Sequence, residues 1–144
     1  MTKASAVTAF SLIEVTLALG ITAFCLIAVF GLLPVGVQTN RNATSQTAAT
    51  NLMAAVVADL RAVPIANTTS TQFEITFGTD ATLYFDGTGQ FTTSLSTNSR
   101  YQLNVTWFGS SGLRYADLKV SWPAAATVAN ATGSTEMFVA FDRR

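Results

Sequence analysis

The chain has 144 residues, with 8 basic and 8 acidic side chains and only 11% charged positions, so the basic excess of a nucleic-acid binder is missing. It has no His and a single Cys, which removes the commonest general base, the commonest transition-metal ligand and any intrachain disulfide. That composition argues against most enzyme chemistry, and no catalytic constellation, metal site or cofactor site is expected.

Residues 1–9, MTKASAVTA, are short, small or polar, and carry one positive charge at Lys3. This has the character of an export leader. The apolar run after it is too long for the core of a signal peptide, and no A-x-A site comes closely behind. Between Val15 and Val37 there is no charge, and only Thr16 and Thr22 are polar. At ~1.5 Å rise per residue, a helix over that stretch is about 34 Å long, against a hydrocarbon core of about 30 Å. A transmembrane helix is expected there. Pro34, with Gly31 and Gly36 on either side, removes a backbone donor and predicts a kink or loosening.

Beyond Val37 the chain becomes polar and Ala-rich. Leu52, Met53, Val56, Val57, Leu60 and Val63 then recur at three- and four-residue spacing, which is one apolar face of an amphipathic helix. Pro64 ends it. Residues 10–63 thus read as one long helix, apolar all round in its first half and striped in its second.

The period then switches to two. QFEITF (72–77) sets Phe73, Ile75 and Phe77 against Glu74 and Thr76, a strand pattern. TLYFDGTGQFTT reads as a hairpin around Asp86-Gly87-Thr88-Gly89, with glycines where positive φ is needed. RYQLNVTWF alternates Tyr101, Leu103, Val105 and Trp107 against polar neighbours. GSSG (109–112) reads as a turn. LRYADLKVSW sets Leu118, Val120 and Trp122 against Asp117, Lys119 and Ser121, and Pro123 closes it. AAATVANATGS reads as a loop, and TEMFVAFD (135–142) as a last, mostly buried strand. The pattern predicts an α+β fold, with an antiparallel sheet over 72–142 whose apolar face is covered by the stripe of the helix. The expected domains are a leader at 1–9, a membrane or core helix at 10–37 and a globular part at 38–144, its helix running over 38–63.

Glu14 is the one carboxylate near the start of the apolar run. A charge within lipid is costly and is paired or functional, although the helix dipole also favours an anion at this end. The string Ala9-Phe10-Ser11-Leu12-Ile13-Glu14-Val15, after a short basic leader and before a long apolar run, resembles the type IV prepilin signature. The resemblance implies cleavage by a prepilin peptidase between Ala9 and Phe10, N-methylation of Phe10, and pairing of Glu14 with the Phe10 amine of a neighbouring subunit in a filament core. Phe10 and Glu14 are four apart, which suits one helix face. A buried ion pair of that kind fixes register more than it adds bulk stability. Ala9 stands where the family usually has Gly; Ala is also small and is expected to fit.

The string FGLLPVGVQ with LKVSWP is also similar to the pilin-like family called Verru_Chthon cassette protein B. FSLIEVTLALGI resembles a minor pseudopilin of type II secretion. What these resemblances imply is a minor pilin or pseudopilin of a pilus or type II secretion-like system. The implied partners are prepilin peptidase, other pilin-like subunits, an inner-membrane assembly platform and the membrane, with no nucleic acid required. The implied location is the bacterial inner membrane as a single-pass precursor, with the C-terminal domain outside the cytoplasm, and then a periplasmic or cell-surface filament. The alternative reading is a single-pass anchored protein with a small ligand- or partner-binding β domain.

The remaining motifs have plainer readings. Cys25 reads as a small buried hydrophobe. Asp80, Asp86 and Asp117 do not supply the ligand count of a calcium loop, and Asp86-Gly87 reads as turn chemistry. Four Asn-x-Thr sequences, at Asn42, Asn67, Asn104 and Asn130, match a glycosylation pattern that arises easily in a chain this rich in Asn and Thr, and no function is assigned to them. Trp107 and Trp122 fall on apolar strand faces and read as core. Arg143 and Arg144 read as a solvated tail.

Overall fold

The computed structural model describes residues 10–109 and 113–143. Helix α1 spans Leu12–Ala62. It is succeeded by five strands: β1 Ala81–Phe85, β2 Phe91–Thr92, β3 Tyr101–Phe108, β4 Leu113–Trp122 and β5 Gly133–Asp142, with a single 3-10 turn at Val128–Asn130 between the last two. The fold is α+β. All strand pairings are antiparallel, in the order β2-β1-β3-β4-β5. The chain divides into two compact units, the first ending at Arg41 and the second beginning at Asn42.

In the first unit α1 begins at Leu12, two residues later than the sequence pattern suggests, because Ser11 caps it. The helix runs unbroken through Pro34. Its apolar side chains are exposed, and Cys25, read as a small buried hydrophobe, is exposed among them. Thr16, Thr22 and Thr39 turn their hydroxyls back to carbonyls one turn earlier, which removes their need for an outside partner.

In the second unit the expected stripe is the buried face of α1. Met53, Val56, Val57 and Leu60 are buried, Ala49 and Ser45 extend the face by two turns, and Leu52 is half-buried at its margin. They share one core with the inward residues of the sheet. Its centre is a cross-strand pair of pairs: Leu103 opposite Val120 and Val105 opposite Leu118, all at most 1% exposed. Directly opposed branched side chains on one pleat face are the unit of sheet stabilisation.

The segment 72–77 is not a strand of this sheet. Phe73, Ile75 and Phe77 are buried as their alternation requires, but the backbone bonds locally. Ser70 N–H donates to the Ile75 carbonyl at 2.9 Å, Phe77 N–H to the Thr68 carbonyl at 2.8 Å, and Ile75 N–H to Ser70 Oγ at 3.1 Å. Glu74 takes φ +57°, a left-handed conformation that ends any extended run. Asp59 of α1 accepts from Gln72 N–H at 3.2 Å and Phe73 N–H at 3.1 Å and so ties this loop to the helix.

The hairpin turn forms as expected. Asp86 N–H donates to the Gln90 carbonyl at 3.0 Å, and of the two glycines only Gly89 has positive φ, at +88°. The 110–112 part of the GSSG turn lies outside the described residues. β4 ends at Trp122, just before Pro123, and the bond between them is cis.

β5 differs from its expected burial. Only Val139 and Phe141 are buried, and Phe138 is 66% exposed, because alternate residues of the strand point to the face of the sheet away from the core. Ser121, read as solvent-facing, is fully buried. Gln102 and Ser134 oppose it on both sides, and the chain folds back at this end of β4, with Thr132 N–H donating to the Trp122 carbonyl at 2.9 Å. Trp122 is buried and Trp107 packs half-buried against the core, as expected. Arg143 is not a solvated tail: its guanidinium lies 3.9 Å from the centre of the Phe77 ring. Arg144 lies outside the described residues.

Candidate functional site

The site that the sequence points to lies at the start of α1. Ser11 is the N-cap. Its Oγ accepts from Ile13 N–H at 3.4 Å, and Glu14 reaches back so that its Oε2 accepts from Ser11 N–H at 3.1 Å. This is a reciprocal cap of the S-x-x-E type, which satisfies amide donors that an α-helix leaves orphaned at its first turn. A carboxylate in the first turn also lies where the helix dipole favours negative charge. The pattern Ser11-Leu12-Ile13-Glu14 is legible in the sequence as a capping box, and Ser11 is the residue that reading the prepilin string alone passes over.

Phe10 is 84% exposed and precedes the helix, so it does not lie a helical turn below Glu14 as its spacing suggests. The two still line one shallow recess of about 380 Å³, together with Val15, Ala18, Leu19 and Thr22. Ala9, the other residue of the expected cleavage site, lies outside the described residues.

Past this cap, α1 is long and apolar enough to cross a membrane, with a mean hydropathy of 2.4 over its most apolar window and none of that window buried within the chain. No charged side chain falls from Val15 to Val37.

Several other carboxylates have structural work. Asp86 Oδ1 accepts from Thr88 N–H at 2.8 Å, Thr88 Oγ at 2.7 Å and Gln90 N–H at 3.0 Å. These bonds, the Thr88 hydroxyl foremost, hold its carboxyl below the usual value. Asp80 Oδ1 accepts from Trp107 N–H at 2.9 Å, which sews β1 to the end of β3. Asp117 lies on the outer face of the sheet, and burial, joined by the charge of Glu136 and a hydrogen bond with it, pushes its carboxyl up against a smaller opposing effect of Lys119. Lys119 pairs with Glu136 at 3.4 Å. Among the described residues no group of three or more His, Cys, Asp or Glu side chains could hold a metal ion.

Among the described residues of the second unit, apolar surface remains open on both sides of β5. On the outer face Phe108 and Phe138 stack over β4, ring centres 6.2 Å apart. Beside β5, a groove of about 660 Å³ runs between Ala54, Ala58 and Arg61 of α1 and Met137, Val139 and Ala140. No family model matches the chain, and no curated protein or solved structure is similar enough to count as a match.

Proposed function

We propose that this chain is a type IV pilin-like subunit, a minor pilin or pseudopilin, made as a single-pass inner-membrane precursor and assembled into a filament of a pilus or type II secretion-like system. The observation that carries the reading is the position of Glu14. It is the one charge at the head of a run long and apolar enough to cross a membrane, and it shares a recess with Phe10. In the proposed sequence of events a prepilin peptidase cuts between Ala9 and Phe10 and the new Phe10 amine is methylated. That cation meets Glu14 of a neighbouring subunit. A carboxylate in an apolar surround needs such a partner to stay ionised. The role is structural, with no catalysis and no bound cofactor.

Mass spectrometry of the membrane-extracted protein from cells with an active prepilin peptidase tests the processing. A chain that begins at Phe10, with a methyl group on its amine, supports the reading; an intact N-terminus sinks it. Glu14→Ala is expected to leave the chain folded and membrane-inserted but to lower its recovery in sheared filaments. Recovery at wild-type level would remove the amine–carboxylate pairing.

A second reading has its own observation. Ser11 N–H already gives Glu14 a partner within the chain, so the carboxylate has work to do in a plain single-pass anchored protein with a small ligand- or partner-binding β domain. That protein keeps residues 1–9, and the same mass measurement separates the two.

A further inference from the structure

Glu14 has two carboxylate oxygens, and they are not equivalent. Oε2 is held by Ser11 N–H at 3.1 Å, while no hydrogen bond from the described residues reaches Oε1. Glu14 borders the recess that Phe10 also lines. The anchored oxygen depends on the first turn being formed, and that turn is held at its other end by Ser11 Oγ on Ile13 N–H.

We infer that Ser11 is a positioning residue for Glu14: its cap fixes the first helical turn, so that one carboxylate oxygen is held by the chain's own backbone and the other is presented to an incoming ammonium group. The inference rests on the assembly reading above and adds to it a residue and a division of labour between the two oxygens. The physical reason is one of order and solvation. A free glutamate side chain samples many rotamers, and freezing it on meeting a partner costs entropy. A carboxylate already held at one oxygen has lost that freedom on folding, which is how a preorganised group binds more tightly. In an apolar surround no water takes up the amide groups at the helix start, so both bonds of the cap matter more there than at a solvated end.

The test uses the full chain in cells that carry the peptidase and the assembly machinery. Mass spectrometry separates cleaved chain from precursor, and the readout is the fraction of cleaved chain recovered in filaments. Ser11→Ala is expected to lower that fraction about fivefold, the factor that loss of a serine cap carries, and Ser11→Thr to restore it. If Ser11→Ala assembles like the wild type while Glu14→Ala does not, the positioning role is overturned and the assembly reading stands. If Glu14→Ala also assembles like the wild type, the assembly reading falls and takes this inference with it.

Amide hydrogen exchange of the uncleaved chain in detergent micelles gives a measurement independent of cleavage. Exchange at residue 11 is expected to quicken about tenfold in Glu14→Ala, and at residue 13 by a similar factor in Ser11→Ala. Unchanged rates at both amides would overturn the reciprocal cap itself.

Discussion

The guanidinium of Arg143 sits 3.9 Å from the centre of the Phe77 ring, and its Nη2 donates to the carbonyls of Pro64 at 2.9 Å, Ile65 at 3.2 Å and Asn67. One side chain at the end of β5 thereby gathers the loop that leaves α1. Arg143→Ala is expected to cost about 2 kcal/mol, from a shielded cation–π contact together with charged hydrogen bonds. Arg143→Lys recovers less than half of this, because a compact, strongly hydrated ammonium replaces the flat guanidinium that lies over the Phe77 ring. Denaturant unfolding of the full chain in mild detergent measures both.

Gly133, the first residue of β5, lies against Trp122. A Cβ there would fall 2.6 Å from Trp122 Cε2, closer than any real contact. Trp122 is buried, and its ring packs edge-on to Tyr101 at 6.4 Å, so it has little room to move. Gly133→Ala is expected to destabilise by about 1–3 kcal/mol, the range for overpacking a filled core, and to weaken the near-ultraviolet signal of the buried tryptophan. An unchanged midpoint would show that the ring shifts freely.

Asp59 is the helix residue that receives two amides of the 68–77 loop. Asp59→Ala removes that partner and is expected to cost about 1 kcal/mol, chiefly at the part-buried Phe73 amide, since the exposed Gln72 amide turns to water. Asp59→Asn keeps one acceptor oxygen and loses less. Limited proteolysis is the local readout, since cleavage within 68–77 should rise in Asp59→Ala before the sheet itself opens.

Asp117 gives a pH dependence of definite sign. Its carboxyl is raised above the ordinary value of 3.8, first by burial and then by Glu136. The folded chain therefore holds this proton at pH values where the unfolded chain has released it. Stability from this group falls as pH rises from 3.8 through the folded value, and stays lost above it. Asp117→Asn removes the effect, so the variant is expected to gain on the wild type through that window and to keep the gain at neutral pH. Asp86 has the opposite sign. Its carboxyl is lowered by the Thr88 bonds, so its contribution is present above 3.8 and is lost as pH falls through the folded value. Urea midpoints across an acid series, for wild type, Asp117→Asn and Asp86→Asn, resolve the two.

The plan of the second unit was legible because it derives from periodicity. Val56, Leu60 and their neighbours at helical spacing had to face something apolar, and Leu103, Val105, Leu118 and Val120 at strand spacing had to provide it. The same alternation over 72–77 placed Phe73, Ile75 and Phe77 inside but misjudged their partners. Period two reports which side chains point inward, not where backbone amides find acceptors, and here Ser70, Thr68 and Asp59 supply them. TEMFVAFD read as mostly buried because its composition is apolar, yet strict alternation holds there too: Val139 and Phe141 face the core, and Phe138 lies on the opposite face with Glu136 and Ala140.

The sequence by itself determined the helix with its charge-free run, the alternation of the strands and the S-x-x-E string at the helix start. Each depends on residues within a few positions of one another, where spacing alone fixes which side chains share a face or a turn. The order of the strands, the burial of Ser121 and the grip of Arg143 on Phe77 belong to the tertiary structure. They depend on which distant segments come to lie side by side, and no local spacing encodes that.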